Sequence, residues 1–195
     1  LPVLATPANP MYLPQLIMEE GYSKEIDCVS YQMPIPKEVP PLYNKIYERI
    51  RKNKTLRLLE FKSKRQLNPY IIPVLRLVNE TYKPLFGFTP MSEAEMKKFA
   101  SQYLPVLDPE YVKIVVNTND DIIAFVVAIP DMSEGIQKAK GKLLPFGFLY
   151  VLNAMRKSKQ LNLMLGAIKN EYRGSGISAM MGKAMIESAN KCGLE

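Results

Sequence analysis

The chain contains 195 residues, carries a formal net charge of +7 and is 47% hydrophobic. This length suits one medium-sized domain with part of a second, and the apolar content is sufficient for a packed core. Because the chain contains no histidine, Ser-His-Asp and Cys-His mechanisms and the common zinc sites are excluded, and we expect no metal.

Two further features of the composition indicate the cellular compartment. Cys28 and Cys192 show no paired spacing, so we expect them to be reduced thiols rather than a disulfide. The longest apolar runs are far shorter than a membrane span, and the first residues do not resemble a secretory signal. We therefore expect a soluble, cytoplasmic protein without a membrane partner.

The first predicted elements precede residue 55. Asn9 and Pro10 are expected to begin a helix that ends at Gly21, and residues 26–33 are predicted to form a strand. Four prolines between residues 34 and 41 indicate a linker. A helix with the apolar stripe Leu42, Ile46 and Ile50 is predicted to follow it.

Positive charge is concentrated where that helix ends. The segment from Lys45 to Arg65 contains nine basic and two acidic residues, while the other 17 bases and 17 acids cancel. A solvated helix face and turn is the favoured interpretation. A docking surface for an acidic partner or an RNA backbone is the alternative, although no zinc-finger or aromatic RNA-binding motif accompanies the segment.

A second succession of elements begins near Leu56. The pattern predicts a short strand over residues 56–61, a helix that opens at Asn68-Pro69, and a second helix whose capping box starts at Ser92. Two β-branched runs with a polar turn between them predict a hairpin over residues 111–129. A helical stretch with Leu149, Leu152 and Met155 on one face follows, and then a strand over residues 161–168 and a final helix over residues 177–191.

The loop between that last strand and helix carries the most specific signal. It reads Tyr172-Arg173-Gly174-Ser175-Gly176. Glycines permit positive φ and close backbone approach, and the start of a helix adds the positive end of its dipole, so the loop is typical of an anion cradle. Rossmann and P-loop spacings are not met, because no third glycine follows Gly176 at the required spacing and no Lys-Ser/Thr pair is present. A plain tight turn is the alternative.

Residues 163–189 resemble the central motif of the GNAT superfamily of acetyl-CoA-dependent N-acyltransferases. The family pattern Arg/Gln-x-x-Gly-x-Gly/Ala is matched from Arg173 to Ile177, but Ser178 replaces the final Gly or Ala. The resemblance implies an α/β (α+β) fold with a mixed, mostly antiparallel sheet flanked by helices, truncated at its C-terminal end. It covers about 140 residues.

The resemblance also implies an acyl-CoA site. The backbone amides from Arg173 to Ser178 would hold the pyrophosphate, and the strand edge from Leu165 to Ile168 would pair with the pantetheine arm. The implied cofactor-binding residues are Leu165, Gly166, Ala167, Ile168, Arg173, Gly174, Ser175, Gly176, Ile177 and Ser178. Acetyl-CoA or another acyl-CoA would be the cosubstrate, with no metal.

The resemblance suggests the following organisation. Residues 1–36 look like the closing helix and strand of a preceding GNAT-like unit, 37–54 form a linker and basic helix, and 55–193 form an acyl-CoA-binding domain that lacks its last elements. Residues 194–195 are expected to be a cloning remnant. The chain would then be a fragment of a bacterial tandem-GNAT protein. Residues 1–36 would alternatively complete the second domain, within one chain or by exchange in a homodimer.

No catalytic residue can be assigned from the sequence. Asp131 and Glu134 are candidate bases, but helix capping explains them as well; Glu171 is expected to face solvent, and Asn162 is not basic. Tyr12 and Tyr22 are candidates for protonating the thiolate, although packing is the favoured role. Four phenylalanines next to glycines are candidates for an acceptor pocket or for the core: Phe86, Phe88, Phe146 and Phe148.

Two functions from different classes remain. The favoured one is an N-acetyltransferase that acts on an unidentified amine, with the fragment itself potentially inactive. The alternative is a degenerate, non-catalytic unit that binds CoA or serves as a scaffold.

Overall fold

The computed structural model describes residues 9–195 of the chain. The chain divides into two compact units, residues 35–130 with 158–195 (the sheet unit) and residues 1–34 with 131–157 (the hairpin unit). In chain order the helices and strands are α1 (Tyr12–Glu19), α2 (Pro41–Asn53), β1 (Leu56–Glu60), α3 (Lys64–Leu67), α4 (Ile71–Tyr82), α5 (Glu93–Tyr103), β2 (Val112–Asn117), β3 (Ile122–Pro130), α6 (Ser133–Lys138), α7 (Gly147–Lys157), β4 (Leu161–Ile168) and α8 (Ile177–Lys191).

The sheet unit contains one four-stranded sheet in the order β1-β2-β3-β4. Every neighbouring pair is antiparallel. The central strands β2 and β3 form the predicted hairpin, and Asn117 stabilises its turn by accepting hydrogen bonds from the backbone N–H groups of Asn119 and Asp121. The predicted α+β fold, with a mostly antiparallel sheet flanked by helices, is therefore confirmed.

Helices cover both faces of this sheet because β2 is apolar on both sides. Val112, Ile114 and Val116 belong to a core that includes α4 residues such as Val78, whereas Val115 packs with Ile177 and Met181 of α8. This alternation follows the two-residue period of a strand. Tyr111 and Leu194 join Met185 and Ala189 of α8 in a third cluster, so the second-last residue of the chain packs in the core.

A buried lysine lies between β2 and α8. The Lys113 side chain is 1% exposed, and its Nζ donates to the Glu60 carboxylate at 2.6 Å and to the Ser188 hydroxyl at 2.8 Å. Ser188 in turn donates to Glu110 at 2.9 Å. Burial raises the pKa of Glu110, but hydrogen bonds from Ser188 and Lys191 outweigh it and keep that pKa below its usual value. The charge of Lys113 is thus paired and hydrogen-bonded, as burial requires.

The aliphatic part of Lys113 is expected to contribute more to stability than its charge, because Glu60 is half exposed and can be hydrated when the pair is removed. Lys113→Ala should lower the free energy of unfolding by about 2–4 kcal/mol. Lys113→Met keeps the volume and should cost about 1 kcal/mol or less. Urea unfolding measures both, with the exposed Lys97→Ala as the control. Equal losses in the two Lys113 variants would contradict this assignment.

The hairpin unit contains α6 and α7, which pack closely against each other. A Cβ atom added to Gly135 would lie 2.6 Å from the Val151 Cα and 2.9 Å from the Ala154 Cβ. The closely packed face of α7 therefore includes Gly147 and Val151, both of which are buried. The helix predicted around Leu149, Leu152 and Met155 is thus formed, and the face that contains the two leucines is exposed, at 52% and 42%.

Several expectations for the first forty residues need correction. Residues 23–36 contain neither helix nor strand, so the strand predicted over residues 26–33 is not formed. Its apolar side chains are instead exposed, as Val29 and Met33 illustrate, and an exposed strand with no partner would leave its backbone groups unpaired. Helix α1 forms and ends before Gly21, but it starts at Tyr12 without a side-chain cap from Asn9. No helix among the described residues is long and apolar enough to cross a membrane.

Candidate functional site

The loop between β4 and α8 is a tight turn in which Gly174 is exposed and Gly176 is partly buried. A short 3₁₀ turn over Asn170–Tyr172 precedes it, and the Ser175 hydroxyl donates to the Tyr172 carbonyl at 2.6 Å. Gly174 and Gly176 have φ angles of 75° and 92°, in the region that favours glycine. Arg173 and Gly174 are exposed. The sequence-based expectation of positive φ at both glycines is confirmed.

Helix α8 begins directly from this loop without a capping side chain. Gly176 is the N-cap residue, and no side chain bonds to the first-turn amides there. The first N–H groups of a helix lack intrahelical acceptors and carry the positive end of the dipole. Ile177 is buried and anchors the turn, whereas Ser178 next to it is exposed. The arrangement suits an anion at the start of α8.

Helix α2 packs against this same turn. A Cβ on Gly176 would lie 2.5 Å from the Ile46 Cγ2, 3.4 Å from the Ile50 Cδ1 and 3.7 Å from the Arg49 Nη2. Glycine at this position therefore has a packing role as well as a conformational one. Arg49 adds a second guanidinium beside the loop, in addition to Arg173. Sequence reasoning missed Arg49, because it treated the basic segment and the loop as separate features.

The strand β4 lies at the edge of the sheet and is irregular at its centre. Val127 of β3 opposes Leu165 whereas Ala128 opposes Leu163, so Met164 is an extra residue in β4. Such a bulge leaves one residue unpaired and re-aims the neighbouring groups. The expected pantetheine-binding residues, Leu165 to Ile168, follow it directly. Leu165 and Ala167 pack against the core on the α4 face of the sheet.

Tyr82 occupies the open edge of β4. Its hydroxyl donates to the Gly166 carbonyl at 3.0 Å and accepts from the Gly166 N–H at 3.2 Å. These backbone groups therefore point away from β3, toward the side where another strand or an extended ligand would pair. The Tyr82 ring is fixed edge-on to Phe88. Sequence reasoning did not identify Tyr82 as a site residue, because it lies 84 positions before Gly166.

Comparison with known proteins gives two distant relatives. The chain is 25% identical over 193 residues to a bacterial ceramide synthase of Caulobacter vibrioides, a match that covers 96% of this chain and 49% of the relative. It is 27% identical over 176 residues to the protein YghO of Escherichia coli, covering 88% of this chain and 44% of the relative. The chain thus spans about half the length of the curated relatives it matches. No protein-family model matches it.

The candidate acids are held by neighbouring side chains or lie in solvent. Asp131 accepts a hydrogen bond from the Ser133 hydroxyl at 2.7 Å, at the start of α6. Glu134 pairs with Lys138 at 2.5 Å, and the hydrogen bond from Lys138 lowers the pKa of Glu134. Glu171 is exposed, as expected. The Asn162 side chain accepts from Gln160 at 3.0 Å. Asp131 is thus engaged with Ser133 and Glu134 with Lys138, both within or next to α6.

The candidate phenylalanines differ in their exposure to solvent. Phe88 is partly buried and packs on the main core. The other three phenylalanines are exposed, Phe86 in the sheet unit and Phe146 and Phe148 in the hairpin unit. Tyr12 and Tyr22 are also exposed. The structure therefore supports a core role for Phe88 alone.

The basic segment is a solvated surface in most of its length. All nine of its lysine and arginine side chains are exposed. Arg51 pairs with Glu48 of the same helix, and Arg57 pairs with Asp120. These exposed pairs contribute little to stability. The favoured interpretation of this segment therefore agrees with the structure, with Arg49 as the residue that approaches the loop.

The two loop glycines provide a matched pair for separating strain from packing. Both have positive φ, but a Cβ on Gly174 would meet nothing within 4 Å, whereas one on Gly176 would meet Ile46. Gly174→Ala should cost about 1 kcal/mol of unfolding free energy from backbone strain alone. Gly176→Ala should cost about 1–3 kcal/mol more, as overpacking does. Urea denaturation measures the difference, and equal costs would show that α2 does not constrain Gly176.

Proposed function

We propose that this chain is the acyl-CoA-binding part of an N-acyltransferase. The single observation that carries the proposal is the continuity of β4, the glycine loop and α8. Over fewer than twenty residues these elements present an outward-facing amide at Gly166 and then the uncapped first turn of α8. An acyl-CoA requires both features in that order, since an extended amide-containing arm leads to its pyrophosphate.

The charges around the loop favour such an anion. The pyrophosphate would lie against the amides from Arg173 to Ser178, with Arg173 and Arg49 close enough to neutralise it. Pantetheine amides would pair along residues 165–168 as an added strand does. When the arm binds, the Tyr82 hydroxyl would exchange its hydrogen bonds with Gly166 for bonds to the ligand. It would then lie beside the thioester end of the arm.

The reaction would be direct transfer between the donor and an amine. The amine nitrogen attacks the thioester carbonyl carbon, the C–N bond forms, and the C–S bond breaks as the tetrahedral intermediate collapses. The nitrogen loses a proton to water or to a base outside the residues assigned here, and the CoA thiolate gains one. Tyr82 is the proposed donor of that proton, because its hydroxyl lies within hydrogen-bond distance of the β4 edge.

The name of one relative supports a proposal for the class of acceptor. Ceramide, the product named for the Caulobacter relative, is the amide of a fatty acid with a long-chain amino alcohol. We therefore propose a long-chain amine as the acceptor, and a fatty acyl-CoA in preference to acetyl-CoA as the donor. The general reaction is the same for both donors, because only the acyl chain changes.

A second function is favoured by the state of the candidate acids. Asp131 and Glu134 are engaged in local hydrogen bonds, and Ser178 departs from the family pattern. A unit that binds CoA without transferring an acyl group would have these features. Binding with no turnover in the full-length protein, against both short and long amines, would favour this alternative.

Binding is tested at Ser178, where a charge can be added without harming the fold. Ser178→Glu places a carboxylate in the first turn of α8, which the helix dipole should stabilise by about 0.3–1 kcal/mol. The same charge should repel a pyrophosphate and weaken CoA binding by about tenfold or more. Calorimetric titration with CoA and with a long-chain acyl-CoA measures the effect.

Ser178→Gln is the matched control, because it has nearly the same size without the charge. It should keep most of the affinity. Unfolding measurements should show Ser178→Glu to be at least as stable as the parent chain. If the folded parent chain binds neither CoA nor the acyl-CoA, or if Ser178→Glu binds as well as Ser178→Gln, the proposed pyrophosphate site is wrong.

The role of Tyr82 is tested by removing one oxygen atom. Tyr82→Phe should lower kcat for amine-dependent CoA release by about a hundredfold, the usual contribution of a positioned general acid. The affinity for CoA should stay the same, and unfolding should change by about 1 kcal/mol or less. A thiol-reactive dye measures the released CoA. Tyr103→Phe on α5 is the control, and an unchanged kcat in Tyr82→Phe would leave Tyr82 a purely structural role.

A further inference from the structure

The hairpin formed by α6 and α7 contains many more basic than acidic residues. No Asp or Glu occurs between Gly135 and Gln160, whereas six lysine and arginine residues do. The overall balance of charges outside the Lys45–Arg65 segment conceals this second basic region. Lys138 is paired with Glu134. Among the described residues, Lys140, Lys142 and Arg156 form no ion pair.

Large apolar side chains lie between these bases and face outward. Leu144 is 82% exposed and Phe146 is 69% exposed, in the connection between the two helices. The following helix adds further exposed apolar side chains: Phe148, Leu149, Tyr150 and Leu152. Isolated exposed apolar residues are ordinary, but a contiguous group with a polar rim marks an interaction site.

The packing of the hairpin prevents these side chains from turning inward. Gly135 and Val151 fix the two helices in close contact. A Cβ on Gly147 would lie 1.8 Å from the Lys142 carbonyl oxygen, so the connection folds tightly onto the start of α7. With residues 147 and 151 on the inner side, the helical period places residues 148, 149 and 152 on the other sides. The exposed apolar surface is thus a consequence of the hairpin itself.

We propose that the α6–α7 hairpin binds the surface of an anionic phospholipid bilayer. The exposed apolar side chains between residues 143 and 152 would enter the interface between headgroups and acyl chains, as the apolar face of an interfacial helix does. Lys140 and Lys142, which precede this apolar group in the chain, would lie at the depth of the lipid phosphates, as would Arg156 and Lys157, which follow it. With 11 residues, α7 is too short to span the bilayer.

The charge distribution favours lipid over another protein as the occupant. A hairpin buried in a protein interface would have to pair or desolvate its cations individually, and interface cores are depleted in lysine. An anionic bilayer neutralises cations on both sides of an apolar group at once, without a specific geometry. The expectation that the chain has no membrane partner rested on the absence of a membrane span. It does not extend to surface binding.

The proposal stands apart from the acyl-CoA site, because it uses other residues in the other unit. If both hold, a lipid-dissolved amine would be brought to the enzyme by the same surface that binds the bilayer. Failure of one does not affect the other, since vesicle binding needs no acyl-CoA and CoA binding needs no vesicles.

The test is sedimentation of the chain with phospholipid vesicles. We expect binding to vesicles that contain phosphatidylglycerol, little binding to pure phosphatidylcholine, and loss of binding as salt is raised. Lys140→Glu with Lys142→Glu should reduce the partition coefficient by about tenfold or more, because two attractive charges at the anionic surface become repulsive. Leu144→Ser with Phe146→Ser should reduce it by a similar factor through loss of apolar insertion.

Two matched controls come from the sheet unit. Lys97→Glu with Lys98→Glu makes the same charge change on exposed positions of α5. Leu85→Ser with Phe86→Ser removes the same two side-chain types from an exposed loop. Both should retain binding. No binding of the parent chain, equal binding to both kinds of vesicle, or equal losses in the controls would each overturn the proposal. So would self-association of the chain that Leu144→Ser with Phe146→Ser abolishes, because the hairpin would then be a protein contact.

Discussion

The contact between α2 and the first turn of α8 is the constraint on which the candidate site depends. Gly176 has both a positive φ angle and no room for a Cβ against Ile46, so one residue without a side chain ends the loop and admits the neighbouring helix. That packing covers one face of the sheet through Ile50, Ile177 and Met181. It also brings Arg49 beside amides that the helix dipole already makes attractive to an anion.

The open edge of β4 is the second element of the site. Because β4 is the last strand in the sheet order, its outer side has no partner strand in the described sheet. Exposed edges invite pairing with another chain. Here the extra residue Met164 breaks the regularity of the edge, and the Tyr82 hydroxyl occupies the Gly166 groups. An edge protected by one side chain is easily opened to a ligand.

The sequence was sufficient to predict local secondary structure, but not the contacts between residues that are far apart in the chain. The strand over residues 161–168 and the helix over 177–191 were predicted to the residue, because period, glycine and capping signals are local. Arg49 and Tyr82 reach the site from over eighty residues away, and no local pattern encodes that approach. The strand predicted over residues 26–33 failed for the same reason: β-propensity needs a partner strand, and the structure supplies none. The helical pattern of α7 did not indicate which of its faces packs, because that depends on the close contact with Gly135 of α6.

The positive charge of the chain has two different physical roles, which a net value of +7 does not distinguish. In the Lys45–Arg65 segment, many of the bases lie on a helix and a strand that also contribute apolar side chains to the core. These elements are amphipathic, and the charged residues occupy their solvent-facing side. In the α6–α7 hairpin, the apolar residues are themselves exposed among the bases. Exposure of Leu144 and Phe146 has an energetic cost in water that packing inside the hairpin could not relieve. An anionic bilayer would remove that cost, because it offers an apolar interior for these side chains and negative headgroups for the neighbouring bases.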